Sequence, residues 1–239
     1  MNIEEFKEKL RRGESLQGAD LHGLDLRRMN FRGADLREAN FQGVILERAD
    51  LVGTDLERAN LQGAYLSGAY LSGANLKGAN LSGANLFGVY FLEADLQGVN
   101  LEGANLGGGS FQGANLKEAN LKEAFLGGAN LQGVSFQRAD FRGANLSGAY
   151  LSGANLERVD FRGAILDRAN FEGANLTETL LVGANLEGAN LQGANLEGAD
   201  FRGASFEGAN LEGAKFRGTL MDDSLKEKLT TSQRRENGY

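Results

Sequence analysis

From Leu16 to Phe216 every fifth residue is Leu or Phe, forty-one consecutive positions with no insertion and no exception, and Met221 continues the phase one step further. No standard element has a period of five. On an α-helix, at about 100° per residue, successive Leu side chains would be turned by about 140° and scattered around the cylinder. On a flat strand an odd period sends them to alternating faces. The residue two before each Leu or Phe is usually Ala, with Val44, Val89, Val99, Val134, Val159, Thr54 and Thr179 as the common substitutes. That spacing of two places both side chains on one side of an extended segment. Both stay inward along the whole chain only if the backbone turns after every unit, and the Gly that usually stands two residues after Leu supplies the turn. A chain that turns the same way every five residues winds into a coil and stacks on itself.

Composition narrows the chemistry. The 239 residues contain no Pro, Cys or Trp, 35 Gly and a single histidine, His22. Disulfide and thiolate sites are excluded, and a zinc site would need carboxylates and one imidazole. The N-terminus, MNIEEFKEKLRRG, is charged, and no run of ~18 apolar residues occurs anywhere, so a cytoplasmic protein with no membrane association is expected. The net charge of −7 divides into −2, −2 and −3 over residues 1–60, 61–160 and 161–239. No third of the chain has the basic surface of a nucleic-acid binder, and direct nucleic-acid binding is not expected.

The ends break the period and read as caps. Residues 1–13 form an N-terminal capping helix: Asn2 and Glu5 have capping-box spacing, Ile3, Phe6 and Leu10 share one face, and Gly13 ends it. Residues 14–221 are the repeating body. Residues 222–239 form a C-terminal capping helix and tail, with Asp222 or Asp223 as N-cap, Leu225 and Leu229 as apolar contacts, and a polar segment Thr230–Tyr239 expected to fray. Such helices cover strand edges that would otherwise recruit another chain. Leu24 and Met29, larger than the usual Ala, stand where Phe6 and Leu10 can meet them.

The unit A(D/N)LxG, seen at Ala184-Asn185-Leu186-Glu187-Gly188 and in most of its neighbours, resembles the pentapeptide-repeat family over residues 14–221. The resemblance implies an all-β fold, a right-handed four-sided parallel β-solenoid with four units, hence twenty residues, per coil and about ten coils. At ~4.8 Å per coil the body is ~48 Å tall. Phe31, Phe91, Phe111 and Phe171 then stack on one side, and Phe41, Phe141, Phe161 and Phe201 on another.

Candidates for chemistry are few. His22 stands without a repeated partner and reads as solvated. The Gly-x-x-x-x-Gly spacings follow from the repeat and never precede the Lys-Ser/Thr of a phosphate loop. Asp140 and Asp160 fall one coil apart beside Lys122, Arg142 and Arg162, a pair that could bracket a cation but reads better as neighbouring columns offsetting like-charge repulsion. No catalytic constellation and no cofactor site emerge, so an enzyme is not expected.

The informative departures are apolar residues at outward positions. Tyr70 and Tyr90 share a column, with Leu92 beside Tyr90. Phe87 heads a column that continues as Gly107 and Gly127, and Phe125 lies in the parallel one, so a strip of bare backbone around Gly107, Gly108 and Gly127 is expected between two phenylalanines. Clustered exposed aromatics mark a partner site. The expected function is a non-enzymatic scaffold or regulator that binds an unidentified protein through Tyr70, Phe87, Tyr90, Leu92 and Phe125. The family also contains mimics of duplex DNA that bind DNA gyrase or topoisomerase IV and confer quinolone resistance. A ~48 Å length of duplex carries about 28 negative charges, far from the −7 of this chain, and the unbroken period leaves no projecting loop. A purely structural solenoid, natural or designed, is the remaining alternative. The chain is a monomer if the C-terminal helix covers its own coil and an end-to-end homodimer if it does not.

Overall fold

The computed structural model describes residues 3–229. Parallel bridges join each residue of the Asn/Asp column to the one twenty positions later, from Asp20↔Asn40 to Asp200↔Leu220. Four units therefore close one coil of a right-handed, four-sided β-solenoid. Face 1 carries Leu16 and its successors at intervals of twenty, face 2 begins at Leu21, face 3 at Leu26 and face 4 at Phe31.

One unit shows why five residues suffice. In Asn60-Leu61-Gln62-Gly63-Ala64, the Leu61 and Gly63 N–H groups donate to Asn80 and Ser82 carbonyls in the next coil at 2.7 and 2.9 Å. The Asn60 N–H donates back to Ala39 at 2.9 Å, and the Ala64 N–H closes the turn on the Leu61 carbonyl at 3.0 Å. The fifth donor, Gln62 N–H, is taken by the Asn60 side chain at 3.3 Å. Every backbone N–H is thus satisfied, as buried backbone requires, and the Asx side chain is part of the turn. Gly63 has φ +63, the left-handed conformation that an L side chain adopts at a cost of about 1 kcal/mol. At eleven corners an Arg or Glu accepts that cost. It fits because the corner points into solvent.

The core is a stack of apolar ladders. Phe91 lies over Phe111 with ring centroids 5.2 Å apart, and Phe141 over Phe161 at 5.0 Å. Across the interior Phe136 meets Phe141 edge-on at 5.1 Å. All are fully buried, each stabilising the fold by ~1.5–3 kcal/mol.

Helix α1, Ile3–Arg11, sits on the first coil, where the buried Phe6 ring packs 5.9 Å from Phe31 and Leu10, Leu24 and Met29 are partly buried against the core. Helix α2, Asp223–Lys228, lies at the other end, and Leu225 and Leu229 are buried. Asp222 occupies its N-cap position without capping it. Its carboxylate instead accepts the Gly203 N–H at 2.7 Å, a donor whose counterparts in earlier coils bond to the coil above. The expected capping role of Asn2, the side chain of Ile3 and the segment Thr230–Tyr239 lie outside the described residues.

Candidate functional site

The solenoid turns two different halves outward. On faces 3 and 4, the segments 64–73, 84–93, 104–113, 124–133 and 144–153 contain one charged residue, Glu93. Faces 1 and 2 of the same coils, segments 74–83, 94–103, 114–123, 134–143 and 154–163, carry fourteen. All six exposed aromatic side chains among the described residues, Tyr65, Tyr70, Phe87, Tyr90, Phe125 and Tyr150, stand on the charge-poor half, with Leu92 among them. We refer to this area as the panel.

Local geometry fixes these rings. Tyr70 and Tyr90, one coil apart on face 4, stack with centroids 5.1 Å apart and planes inclined by 10°. Phe125 takes an Asn/Asp position on face 3, and its ring lies down on two glycines: a Cβ at Gly107 would fall 2.8 Å from Cε1 and one at Gly127 would fall 2.7 Å from Cζ. The strip expected to be bare is therefore roofed by Phe125, and Gly107 is buried beneath it. The absence of side chains at 107 and 127 is what lets the ring descend. Phe87, one coil before Gly107 on the same column, remains the most exposed aromatic at 57%.

Sequence reasoning singled out Tyr70, Phe87, Tyr90, Leu92 and Phe125, and the fold brings all five onto the panel. It passed over Tyr65 and Tyr150, which occupy Asn/Asp positions in the same two columns and were visible by the same rule. Five of the panel aromatics replace the Asx side chain that would accept a turn N–H, as Asn60 does for Gln62. Each replacement forfeits a hydrogen bond worth up to about 1 kcal/mol. The panel carries that cost five times.

The charged half is internally neutralised. Arg142 binds Asp140 at 2.7 Å and approaches Asp160 at 3.7 Å, Lys122 lies 3.5 Å from Asp140, and Arg162 binds Asp160 at 2.6 Å. Burial alone would raise the Asp140 carboxyl, but hydrogen bonds and charge from Arg142 outweigh it and hold the group below the ordinary carboxylate range. The two carboxylates that could have bracketed a cation share guanidinium groups instead. A shallow groove of about 240 Å³ alternates Lys117, Glu118, Gln137, Arg138, Glu157 and Arg158 and contains no nucleophile beside a base. His22 is exposed and bonded to Asp20 at 2.8 Å. Among the described residues no group of His, Cys, Asp or Glu is placed to hold a metal ion, and no helix is long and apolar enough to cross a membrane.

A rod of stacked five-residue units with one face pair set apart chemically is a β-solenoid of the repeat-protein class. The sequence family described as Pentapeptide repeats matches residues 15–53, 49–88, 94–133, 110–148, 144–181 and 179–218, and the chain belongs to that family. Its structure is similar to HetL, a pentapeptide repeat protein involved in heterocyst differentiation regulation from the cyanobacterium Nostoc sp. strain PCC 7120. The TM-score is 0.88 and the identity 33%, over 90% of this chain and 97% of HetL. Rfr23, from the cyanobacterium Cyanothece 51142, is 37% identical over 41% of this chain and 64% of its own, with a TM-score of 0.36. QnrB1, a plasmid-mediated fluoroquinolone resistance protein, is 21% identical over 92% of this chain and 96% of its own at a TM-score of 0.35, too poor a superposition to carry an argument. No curated protein sequence matches the chain.

Proposed function

We propose that this protein is a non-enzymatic regulator that works by binding a protein partner through the panel on faces 3 and 4. The observation that carries the reading is the segregation of one charge and six aromatics on one half from fourteen charges on the other. Protein interfaces are distinguished by loss of charge and enrichment of aromatics at their centre, and contiguous exposed apolar area on a monomer marks a site of interaction. The likeness to HetL, which is involved in heterocyst differentiation regulation, supports a regulatory role. The gyrase alternative gains nothing from the surface, where basic and acidic groups interleave on faces 1 and 2.

The rod suits this task because it is pre-organised. Tyr70 and Tyr90 are held by each other and Phe125 by Gly107 and Gly127, so binding orders few side chains and loses little entropy. The test is recovery of a partner on the immobilised full-length chain, compared with a Phe87→Ser/Phe125→Ser variant that retains its thermal transition. A partner retained by the first and lost by the second supports the panel. Equal recovery on both removes it.

A further inference from the structure

We infer that the partner's footprint continues past the panel onto coils 164–213 and that the partner carries a basic patch beside an uncharged apolar one. The inference rests on the panel being the binding surface and adds the partner's chemistry and orientation.

Area calls for the extension. Five coils at ~4.8 Å and two faces each ~10 Å wide, about three extended residues, give a panel of ~480 Å². A standard stable interface covers ~800 Å² per partner. Three further coils bring the footprint to ~770 Å².

Charge selects the direction. On faces 3 and 4 the coils after the panel carry Asp167, Glu172, Glu187, Glu207 and Glu212 against the single Arg168. Glu172, Glu187, Glu207 and Glu212 are exposed and form no ion pair among the described residues, Glu187 accepting only the Ser205 hydroxyl at 3.2 Å. The coils before the panel differ: Arg27 is bound to Asp25 at 2.5 Å and Arg32 to Asp50 at 3.0 Å, leaving mixed and largely compensated charge. The surface therefore runs from balanced charge through a ring-bearing centre whose one charge is Glu93 to an acidic end. Complementarity requires a partner with Lys or Arg at one end only, which fixes its orientation along the solenoid axis and raises its rate of encounter.

A second copy of this chain fits poorly. An antiparallel two-fold contact centring one panel on the other sets Arg48 against Arg168 and Glu47 against Asp167. A parallel contact sets the acidic coils against each other. The parallel contact juxtaposes like charges, and the antiparallel one sets those two like pairs against a single opposite pair, Arg27 facing Glu187.

The experiment uses the full chain as wild type, Phe87→Ser/Phe125→Ser, Glu187→Lys/Glu207→Lys, and a control with the same change in net charge on faces 1 and 2, Glu102→Lys/Glu157→Lys. Lys77, Lys117 and Lys122 already occupy the equivalent position of the unit, so the reversals are compatible with the fold. Proteins retained from native lysate are purified and titrated against all four chains at 50 and 300 mM NaCl. The expected result is a protein whose Kd rises about tenfold or more for Glu187→Lys/Glu207→Lys at low salt, with a flattened salt dependence and no change for the control pair. A protein lost on Phe87→Ser/Phe125→Ser but indifferent to Glu187→Lys/Glu207→Lys overturns this inference and leaves the panel intact. A protein indifferent to the phenylalanine changes, or no retained protein at all, overturns both.

Discussion

Faces 3 and 4 and faces 1 and 2 are built by one rule and differ only in what they show to solvent. The inward side is the same on both: Leu or Phe at the centre of each unit, Ala at the corner, and identical inter-coil hydrogen bonds. The outward side of the charged half is occupied by pairs that satisfy each other, such as Arg158 and Glu178 at 2.7 Å. The panel gives up turn hydrogen bonds to present rings that only one another, or a partner, can cover. The contrast teaches that the wall specifies stability while the outward positions are free to specify recognition. A residue that breaks the outward pattern at a local cost is the one to associate with function.

The contrast can be broken most forcefully through binding. Phe87→Ser/Phe125→Ser is expected to weaken the partner complex by about 100-fold or more, as two central aromatic anchors do, whereas Arg142→Ser/Arg162→Ser leaves affinity within a few fold. Calorimetric titration of both variants measures this, and equal losses would erase the distinction between the halves. Next in size is Gly127→Leu, which drives a side chain into the Phe125 ring and costs about 1–3 kcal/mol of stability by denaturant unfolding. In a Phe125→Ser background the cost disappears, so the cycle isolates the seat of the ring.

Smaller effects sharpen the same comparison. A double-mutant cycle on Tyr70→Ala and Tyr90→Ala is expected to show ~0.5–1.5 kcal/mol of coupling from the stacked pair. On the charged half, Arg202 hydrogen-bonds Asp200, whose side chain is only 10% exposed, and holds its carboxyl below the ordinary value. A depressed folded pKa contributes stability that is present above pH ~4 and lost as pH falls toward the folded value. Asp200→Asn should cost about 1 kcal/mol at pH 7 and flatten unfolding free energy against pH below 4. Smallest is Arg158→Ala, which removes an exposed, solvent-screened pair with Glu178 and should leave the midpoint of thermal melts nearly unchanged.

Much of this was legible in the sequence because the period converts position into geometry. The inward ladders, the turn at each Gly and the outward placement of Phe87 follow from counting by five, and the stacked column of Tyr70 and Tyr90 from counting by twenty. Two features were hidden for physical reasons. Charge counted along the chain averages around all four faces in every twenty residues, so −2, −2 and −3 look uniform while one half is almost empty of charge. The direction of a ring is not a property of its own position: Phe125 lies flat because Gly107, eighteen residues earlier, and Gly127, two residues later, both lack a Cβ. Asp222 is a similar case, since its carboxylate answers an unfilled donor on Gly203 rather than its own helix.

The hydrogen-bond ladder gives the rod a direction. Each unit sends two N–H donors forward and takes one back, so a bare C-terminal end would offer two donors and one acceptor per face and a bare N-terminal end the converse. Unlike ends would dock and keep adding, while like ends would meet donor against donor. The molecule is thus a polymer of its own repeat whose growth α1 and α2 terminate. Deleting residues 1–13 together with 222–239 should convert a discrete particle into head-to-tail filaments whose length rises with concentration, while deleting either cap alone should not, because the remaining helix still covers one of the two unlike ends.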